Sequence, residues 1–207
     1  YTLKYLKEYD VSHRIDSAEK ISSFQDILPA FQKLYHKTIV IKMGGSIMDR
    51  PELIENIFED IALLKMVGAR IIVVHGGGKQ ISSQLSKEGI KPEFIGGYRV
   101  TTKESIDIVE MVLSGLVNKH LVQKLKNHKQ NAVGLSGKDA NLLTAVKKTI
   151  PEGDIGYVGE VVSVDDTVLR LMLDADYIPV ISPISADKAG NTLNINADDA
   201  ALAIAEK

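Results

Sequence analysis

Hydrophobic residues repeat in two alternating patterns from Thr38 onwards. Short continuous runs such as residues 71–74 are rich in β-branched side chains, which is typical of strands buried on both faces of a parallel sheet. Between these runs, apolar residues recur at helical spacing, and the first such stretch begins at Pro51 and ends at Gly68. The alternation predicts an α/β fold, an αβα sandwich with a mainly parallel central sheet.

Three further elements are predicted within this alternation. The segment PEFIGGYRVTT has the composition of a two-stranded ribbon that turns at Gly96 and Gly97. NLLTAVKK and GYVGEVVSVD are expected to form an antiparallel strand pair. Residues 103–128 have the apolar periodicity of one long helix. Its inward side chains are expected to be Ile106, Val109, Val112, Leu113, Leu116, Val117, Leu121 and Leu125.

Residues 1–36 differ from the rest of the chain. Their apolar side chains recur at helical spacing, and they show little strand signal. We therefore predict two units, an N-terminal helical arm over residues 1–36 and an α/β lobe over residues 37–207. The arm is either an appendage that packs on the lobe or an oligomerisation element.

Composition narrows the classes of function. The 207 residues carry a formal net charge of −2, which argues against nucleic acid as the main partner. The absence of cysteine excludes disulfides and thiolate metal sites, and no apolar stretch approaches the length of a membrane span. We expect a cytoplasmic protein, although an organellar origin stays open because the sequence starts at Tyr1. The histidines lack metal-ligand spacing, and His75 is expected to be structural.

Three predicted strands end in glycine. Ligands of α/β proteins bind at the carboxyl ends of the parallel strands, so these turns are candidate ligand sites. These glycines are Gly44, Gly45, Gly76, Gly77, Gly78, Gly134 and Gly137. Glycine leaves backbone N–H groups uncovered, and a following helix adds its positive end, so such turns suit anions. Lys42 precedes the first pair and Lys138 follows the last. The combination favours an anion-binding site over a set of merely structural turns.

Several familiar nucleotide and hydrolase motifs are excluded residue by residue. A P-loop needs Ser or Thr after its Gly-Lys, whereas Gln80 and Asp139 stand there. A dinucleotide fingerprint needs a small residue where Ile81 stands. The sequence HGGG is shared with lipase-like hydrolases, but Ser46 and Ser136 lack the second glycine of a nucleophile elbow.

Six segments in chain order carry a family resemblance. They are IVIKMGGS, DIALLKMVGARIIVVHGGG, GGYRVT, GLSGKD, YIPVISPIS and LNINADDAA. Together they resemble the amino-acid kinase family, and within it the N-acetylglutamate kinases of arginine biosynthesis. The resemblance covers residues 38–207 and implies the amino-acid kinase fold for this lobe.

The resemblance implies phosphoryl transfer from ATP, which brings its own Mg²⁺, to the side-chain carboxylate of N-acetyl-L-glutamate. The chemistry agrees with the residues present. A carboxylate is already ionised at neutral pH, so the reaction needs no general base. Catalysis then depends on positioning and on charge stabilisation by lysines, backbone N–H groups and helix N-termini.

The resemblance assigns roles on the phosphate side of the site. Lys42 matches the lysine that bridges the donor and transferring phosphates, and the alternative is a solvated lysine at a strand end. Gly44 and Gly45 match residues that contact phosphate through backbone N–H groups. Gly77 and Gly78 match the pair that lies against acetylglutamate and the transferring group.

The resemblance also assigns roles on the acceptor side. Arg99 matches the arginine that holds the α-carboxylate, a task suited to its planar fork, and the alternative is an exposed ribbon arginine. Asn194 matches an asparagine that binds the substrate. Asp198 matches the aspartate that holds catalytic lysines, although an acid there also favours a helix N-terminus. Asn196 and Asp199 are expected to serve as helix caps.

Further implications of the resemblance concern assembly and the rest of the family's length. Arginine-inhibited members use an N-terminal helix to join dimers into a hexamer, so a homo-oligomer and arginine regulation are expected. The match to the family ends at Lys207. Family members continue past this point into an ATP lobe that supplies a second catalytic lysine, so a truncated chain is expected. Two alternatives stay open: a kinase for an aminoadipate-type acceptor, and a non-catalytic regulatory domain of an acetylglutamate synthase.

Overall fold

The computed structural model describes residues 17–45 and 50–207. The helices are α1 (Ser17–Leu34), α2 (Pro51–Met66), α3 (Gly78–Lys87), α4 (Lys103–Glu110), a π-helical segment (Met111–Val117), α5 (Asn118–Asn127), α6 (Thr167–Asp174) and α7 (Ala197–Ala205). The strands are β1 (Thr38–Met43), β2 (Arg70–His75), β3 (Phe94–Ile95), β4 (Tyr98–Arg99), β5 (Ala132–Ser136), β6 (Leu143–Lys147), β7 (Val158–Val164), β8 (Ile178–Ser182), β9 (Ile184–Ala186) and β10 (Thr192–Ile195).

The central sheet has the strand order β1-β2-β8-β5, and all its strands are parallel. Residues 71–74 of β2 are buried on both faces, as their uninterrupted apolar run predicts. Ile71 and Val73 pack into one hydrophobic core, whereas Ile72 and Val74 pack into another. The sheet therefore separates two cores, and the predicted α/β fold with a mainly parallel sheet is confirmed.

A second sheet lies on one side of the central one. Strands β10, β7, β6 and β9 pair in this order, and β9 pairs back to β10, so the sheet closes on itself. The predicted antiparallel pair is present as β6 and β7. The predicted ribbon is present as the antiparallel pair β3 and β4, with Gly96 and Gly97 both in the left-handed region that glycine favours.

The long helix predicted over residues 103–128 is continuous but not uniform. Its middle turns, Met111–Val117, are π-helical and widen the spacing between inward residues. Seven of the eight predicted inward side chains are buried, but Leu116 is 58% exposed, so that prediction is wrong. The wider turn brings Asn118 to the core instead, where its side chain is fully buried.

The predicted N-terminal helix is present as α1, and the part of the prediction that rests on residues 1–16 lies outside the described residues. Ile27 and Leu28 of α1 are among the exposed large hydrophobic residues. Among residues 17–45 and 50–207, no helix combines the length and apolar composition that crossing a bilayer requires.

Candidate active site

A cavity of about 230 Å³ lies where β1 and β2 end and where α3 and α7 begin. The predicted site residues all line it, although they come from positions up to 156 residues apart. They are Lys42, Gly44, Gly45, Gly77, Gly78, Arg99, Asn194 and Asp198. Parallel strands bring their carboxyl ends to one edge, and this explains why distant glycine turns meet here.

The charged centre of the cavity is an ion pair. Lys42 Nζ lies 2.9 Å and 3.1 Å from the two carboxylate oxygens of Asp198. The lysine side chain is 33% exposed and the aspartate side chain 69% exposed, so solvent screens the pair and its contribution to stability is small. The pair instead fixes where the ammonium group points.

Helix α7 starts with a cap that places Asp198 at the cavity. The Asn196 side-chain oxygen accepts hydrogen bonds from the backbone N–H groups of Asp198 at 2.7 Å and Asp199 at 3.4 Å. The predicted cap at Asn196 is therefore confirmed. The carboxylate of Asp199 does not act as a cap but lies 3.4 Å from Lys148 Nζ.

Four glycines at the cavity are not explained by the fold itself. Gly44, Gly45, Gly76 and Gly78 all lack a positive φ, so their backbone conformations accept any residue. A Cβ atom at each would meet its nearest described neighbour at 3.4 Å or more, which is an ordinary contact. What their small size preserves is open space at the cavity wall, as expected where a ligand contacts the backbone. The N–H of Gly76 already donates to the Met43 carbonyl oxygen at 3.0 Å, so the N–H groups of Gly44, Gly45 and Gly78 are the candidates for a ligand.

The other strand-end glycines have structural explanations. A Cβ atom at Gly77 would come within 2.6 Å of Leu113 Cδ2, and one at Gly137 within 2.7 Å of the Ile184 carbonyl oxygen. Lys138 is held by the Glu110 carboxylate at 2.9 Å and by the Thr192 hydroxyl at 2.9 Å. The third glycine turn, Gly134–Lys138, does not line the cavity, unlike the first two turns.

Arg99 is anchored to the start of α3. Its Nη2 atom donates to the Gly78 carbonyl oxygen at 2.7 Å and to the Ser82 hydroxyl at 2.8 Å, and its guanidinium carbon lies 4.7 Å from the Phe94 ring centroid. The side chain is buried, and this burial lowers the pKa of the guanidinium. Nη1 is buried without a hydrogen-bond partner among the described residues. Such an orphaned charged donor is what an incoming carboxylate satisfies.

Asn194 and Arg99 are linked through one buried threonine. The Asn194 side-chain nitrogen donates to the Thr101 hydroxyl at 3.1 Å, and this hydroxyl donates to the Arg99 carbonyl oxygen at 3.2 Å. The link joins β10 to the ribbon. It therefore sets the spacing between the two residues predicted to bind the acceptor.

Behind the glycine turn, His75 is held in one neutral form. Its Nδ1 donates to the Gly76 carbonyl oxygen at 2.9 Å, and its Nε2 accepts from the Asn118 side-chain nitrogen at 3.1 Å. Asn118 also donates to the Val180 carbonyl oxygen at 2.8 Å. Burial lowers the pKa of His75 to about 4. This histidine is a buried part of the core, as the sequence indicates.

Three residues near the site were missed by sequence reasoning. Ser82 lies four residues after Gly78 on α3, and this spacing placed it on the face that Arg99 reaches. Tyr98 lines the cavity and precedes Arg99 directly. Asn118 carried no usable signal, because only the π-helical turn brings it inward.

The cavity contains no cluster of acidic or histidine ligands for a metal. Within residues 17–45 and 50–207, no three His, Asp or Glu side chains are grouped to hold an ion. Asp198 is the acidic residue that lines the cavity, and it is paired with Lys42. These residues do not fit a protein-bound magnesium site.

Comparison with known proteins places this geometry in a family. Residues 37–207 match the amino acid kinase family. The chain is 45% identical to the acetylglutamate kinase of Thiobacillus denitrificans over 196 residues, which are 91% of this chain and 67% of that protein. It is 43% identical to the acetylglutamate kinase of Methanoculleus marisnigri, over 87% of this chain and 65% of that protein. The chain thus spans about two thirds of the length of these relatives.

A solved structure shares the fold. The N-acetylglutamate synthase of Neisseria gonorrhoeae, solved with coenzyme A and N-acetyl-glutamate, superposes with a TM-score of 0.75 at 25% identity, over 89% of this chain and 42% of that one. The ordered sequence segments, the parallel sheet with its cavity, and these matches agree. The chain belongs to the amino acid kinase family.

Proposed function

We propose that this chain forms the acceptor-binding part of a kinase that phosphorylates the side-chain carboxylate of N-acetyl-L-glutamate with ATP. The acetylglutamate kinases to which the chain is similar support the reaction. The cavity supports the site, because it gathers cationic side chains and uncovered backbone N–H groups at one sheet edge. The reaction joins two anions, so it needs those groups more than it needs an acid or a base.

Arg99 and Asn194 hold the acceptor in this proposal. The orphaned Nη1 of Arg99 receives the α-carboxylate, while Nη2 stays bound to Gly78 and Ser82. Asn194, fixed through Thr101, contacts the polar groups beside that carboxylate. The side-chain carboxylate then lies along the Gly77–Gly78 turn.

Lys42, Gly44 and Gly45 act on the phosphates. An oxygen of the acceptor carboxylate forms a bond to the γ-phosphorus, and the bond from that phosphorus to the β,γ-bridging oxygen breaks. The products are an acyl phosphate and ADP, with no proton transfer. Lys42 and the glycine N–H groups stabilise the negative charge on the moving phosphoryl group. Asp198 orients Lys42 through the ion pair at 2.9 Å.

Magnesium enters the proposal with the nucleotide. The described cavity residues offer it no ligand set, so we propose that the ATP phosphates hold the ion. The magnesium ion would neutralise negative charge on the phosphates.

Regulation by arginine and assembly into a homo-oligomer, a dimer or a hexamer, are parts of the same proposal. The exposed Ile27 and Leu28 of α1 support a role for this helix in assembly. Replacing both with aspartate should lower the molar mass measured by sedimentation. An unchanged molar mass would show that α1 does not contribute to the assembly.

The main alternative is a non-catalytic regulatory domain of an acetylglutamate synthase, which the similarity to the Neisseria gonorrhoeae synthase supports. A domain that only binds has no use for a lysine aimed at the phosphates. The Lys42–Asp198 pair is therefore the observation that favours a kinase.

Trapping the product tests the proposed reaction. Hydroxylamine converts an acyl phosphate to a coloured hydroxamate, so the full-length protein that contains this chain should yield one with ATP, Mg²⁺ and N-acetyl-L-glutamate. Lys42→Ala should reduce the yield at least a hundredfold, as loss of a charge-stabilising donor does. A higher yield with an N-acetylated aminoadipate would instead favour that acceptor. Acetylglutamate binding by that full-length protein without any hydroxamate would favour the non-catalytic domain.

A further inference from the structure

A lysine outside the cavity connects two elements that form its walls. Lys148 follows β6 directly, and its Nζ atom lies 4.8 Å from the centroid of the Tyr98 ring. The same atom lies 3.4 Å from Asp199 Oδ2. Only 16% of the lysine side chain is exposed, so its ammonium group is committed to these two contacts.

The two connected elements carry different parts of the proposed site. Tyr98 belongs to the ribbon β3–β4, whose next residue is Arg99. Asp199 belongs to the first turn of α7, whose preceding residue is Asp198, the partner of Lys42. Lys148 thus touches the neighbours of the predicted acceptor-binding arginine and of the predicted lysine-holding aspartate.

The ribbon needs such a connection because its own pairing is short. Each strand has two residues, and an isolated two-stranded ribbon is at best marginally stable in water. On the α3 side, Arg99 anchors it to Gly78 and Ser82. On the α7 side, Lys148 supplies a cation–π contact and an ion pair.

We infer that Lys148 is a positioning residue, which holds the ribbon against the first turn of α7 and so sets the distance between Arg99 and Lys42 across the cavity. The inference rests on the proposed function, since it concerns the site where acetylglutamate would bind. Lys148 does not line the cavity and acts only through Tyr98 and Asp199.

The neighbouring lysine shows that the placement of Lys148 is specific. Lys147 has a side chain that is 58% exposed and pairs with Asp154, which is 78% exposed. Lys148 has a side chain that is only 16% exposed, and its backbone N–H donates to the Val158 carbonyl oxygen at 2.8 Å. A hydrogen bond with Tyr98, and then the charge of Asp199, raise the pKa of the Lys148 ammonium group above its ordinary value.

Four chains test the inference: the wild type, Lys148→Ala, Lys148→Arg and the matched control Lys147→Ala. Two quantities are measured on each, the amide hydrogen exchange of residues 94–101 and the affinity for N-acetyl-L-glutamate by calorimetry. Lys148→Ala should speed ribbon exchange about tenfold and weaken binding about tenfold, since it removes a cation–π contact and a charged hydrogen bond. Lys148→Arg, which keeps the charge, should recover both, and Lys147→Ala should match the wild type.

The outcomes separate this inference from the proposed function. Wild-type affinity in Lys148→Ala, or equal damage in Lys147→Ala, would overturn the positioning role. If the wild type itself does not bind acetylglutamate, the proposed function fails. The hydrogen-exchange data alone then test whether Lys148 holds the ribbon. Faster ribbon exchange only in Lys148→Ala would then support the connection, and unchanged exchange would overturn it.

Discussion

Glycines at the cavity fall into two kinds, which a sequence does not distinguish. Gly78 accommodates a Cβ atom, since its nearest described neighbour, Arg99 Nη2, would lie 3.9 Å away. Gly77, the adjacent residue, does not, because Leu113 would lie 2.6 Å away. Under the proposed function, Gly78 keeps space for the ligand, whereas Gly77 keeps space for the core.

Replacing each of these two glycines with alanine should therefore have opposite effects. Gly78→Ala should leave the free energy of unfolding within about 0.5 kcal/mol of the wild type or raise it slightly, because alanine suits a helix better than glycine. It should nevertheless weaken acetylglutamate binding at least tenfold. Gly77→Ala should lower the free energy of unfolding by about 1–3 kcal/mol through overpacking against Leu113.

Chemical denaturation and calorimetry of both variants check this prediction. A Gly78→Ala chain that binds as the wild type does would show that the ligand does not approach this part of the backbone. Equal destabilisation by both substitutions would show that both glycines serve packing alone.

His75 should make stability depend on pH. Its pKa in the folded chain is about 4, below the ordinary 6.5, so between these values the unfolded chain binds a proton that the folded chain does not. Stability should therefore fall as the pH drops from 6.5 to 4, by about 3 kcal/mol from this residue, and show no contribution from it above pH 6.5.

The pH dependence is measured by urea unfolding of the wild type and of His75→Gln across this range. The variant loses some stability at every pH, so the informative quantity is the difference between the two chains. That difference should shrink as the pH falls to 4. A difference that is constant with pH would show that His75 does not titrate as its burial requires.

Single residues were predictable from the sequence through the family resemblance, which named Lys42, Arg99, Asn194 and Asp198, and all four line the cavity. Of these residues, Lys42 lies on the central parallel sheet, whereas Arg99 lies on the antiparallel ribbon and Asn194 on the closed sheet, so strand order alone did not predict that they meet. Ser82 was missed because a helical serine is unremarkable until a partner from a distant ribbon is known.

At the scale of elements, the long helix over residues 103–127 shows where periodicity fails. Regular spacing predicts Leu116 inward, whereas the π-helical turns of Met111–Val117 leave it exposed and bury Asn118. A π-helical turn changes the angle between successive residues without a distinctive composition. The length of the helix was therefore predictable. Its inward face after Val112 was predictable only in part, since Leu116 was wrong and Asn118 was missed.

Asn118 imposes a requirement on the strand beside it. A Cβ atom at Gly134 of β5 would lie 1.8 Å from Asn118 Oδ1, whose amide group is buried in hydrogen bonds to His75 and Val180. Gly134→Ala should lower the free energy of unfolding by about 3 kcal/mol, because the amide must move and leave its partners unsatisfied.

Gly115 provides the control for this prediction from the same helix. It is exposed, and no described atom lies within 4 Å of a Cβ placed there. Gly115→Ala should match the wild type or gain up to about 1 kcal/mol. Thermal or urea unfolding distinguishes the two, and a harmless Gly134→Ala would contradict the account of Asn118 as a fixed buried group.

At the scale of the whole molecule, the central sheet gives the cavity its rigid base. Its strand β2 contributes alternate residues to two cores, and its carboxyl end leads into the glycine turn. The alternation of strands and helices predicted this layered architecture. The small closed sheet was not predictable, because the pairings of β10 with β7 and of β6 with β9 join segments that are distant in sequence.

The central claim is that this chain holds an acetylglutamate site whose key contact is Arg99. Calorimetric titration of N-acetyl-L-glutamate into the wild type and into Arg99→Ala tests it most directly. We predict saturable binding to the wild type and a loss of at least a hundredfold in affinity in the variant, because the buried guanidinium supplies the charged hydrogen bonds to the α-carboxylate. Equal binding by two folded chains, or no binding by a folded wild type, would contradict the account.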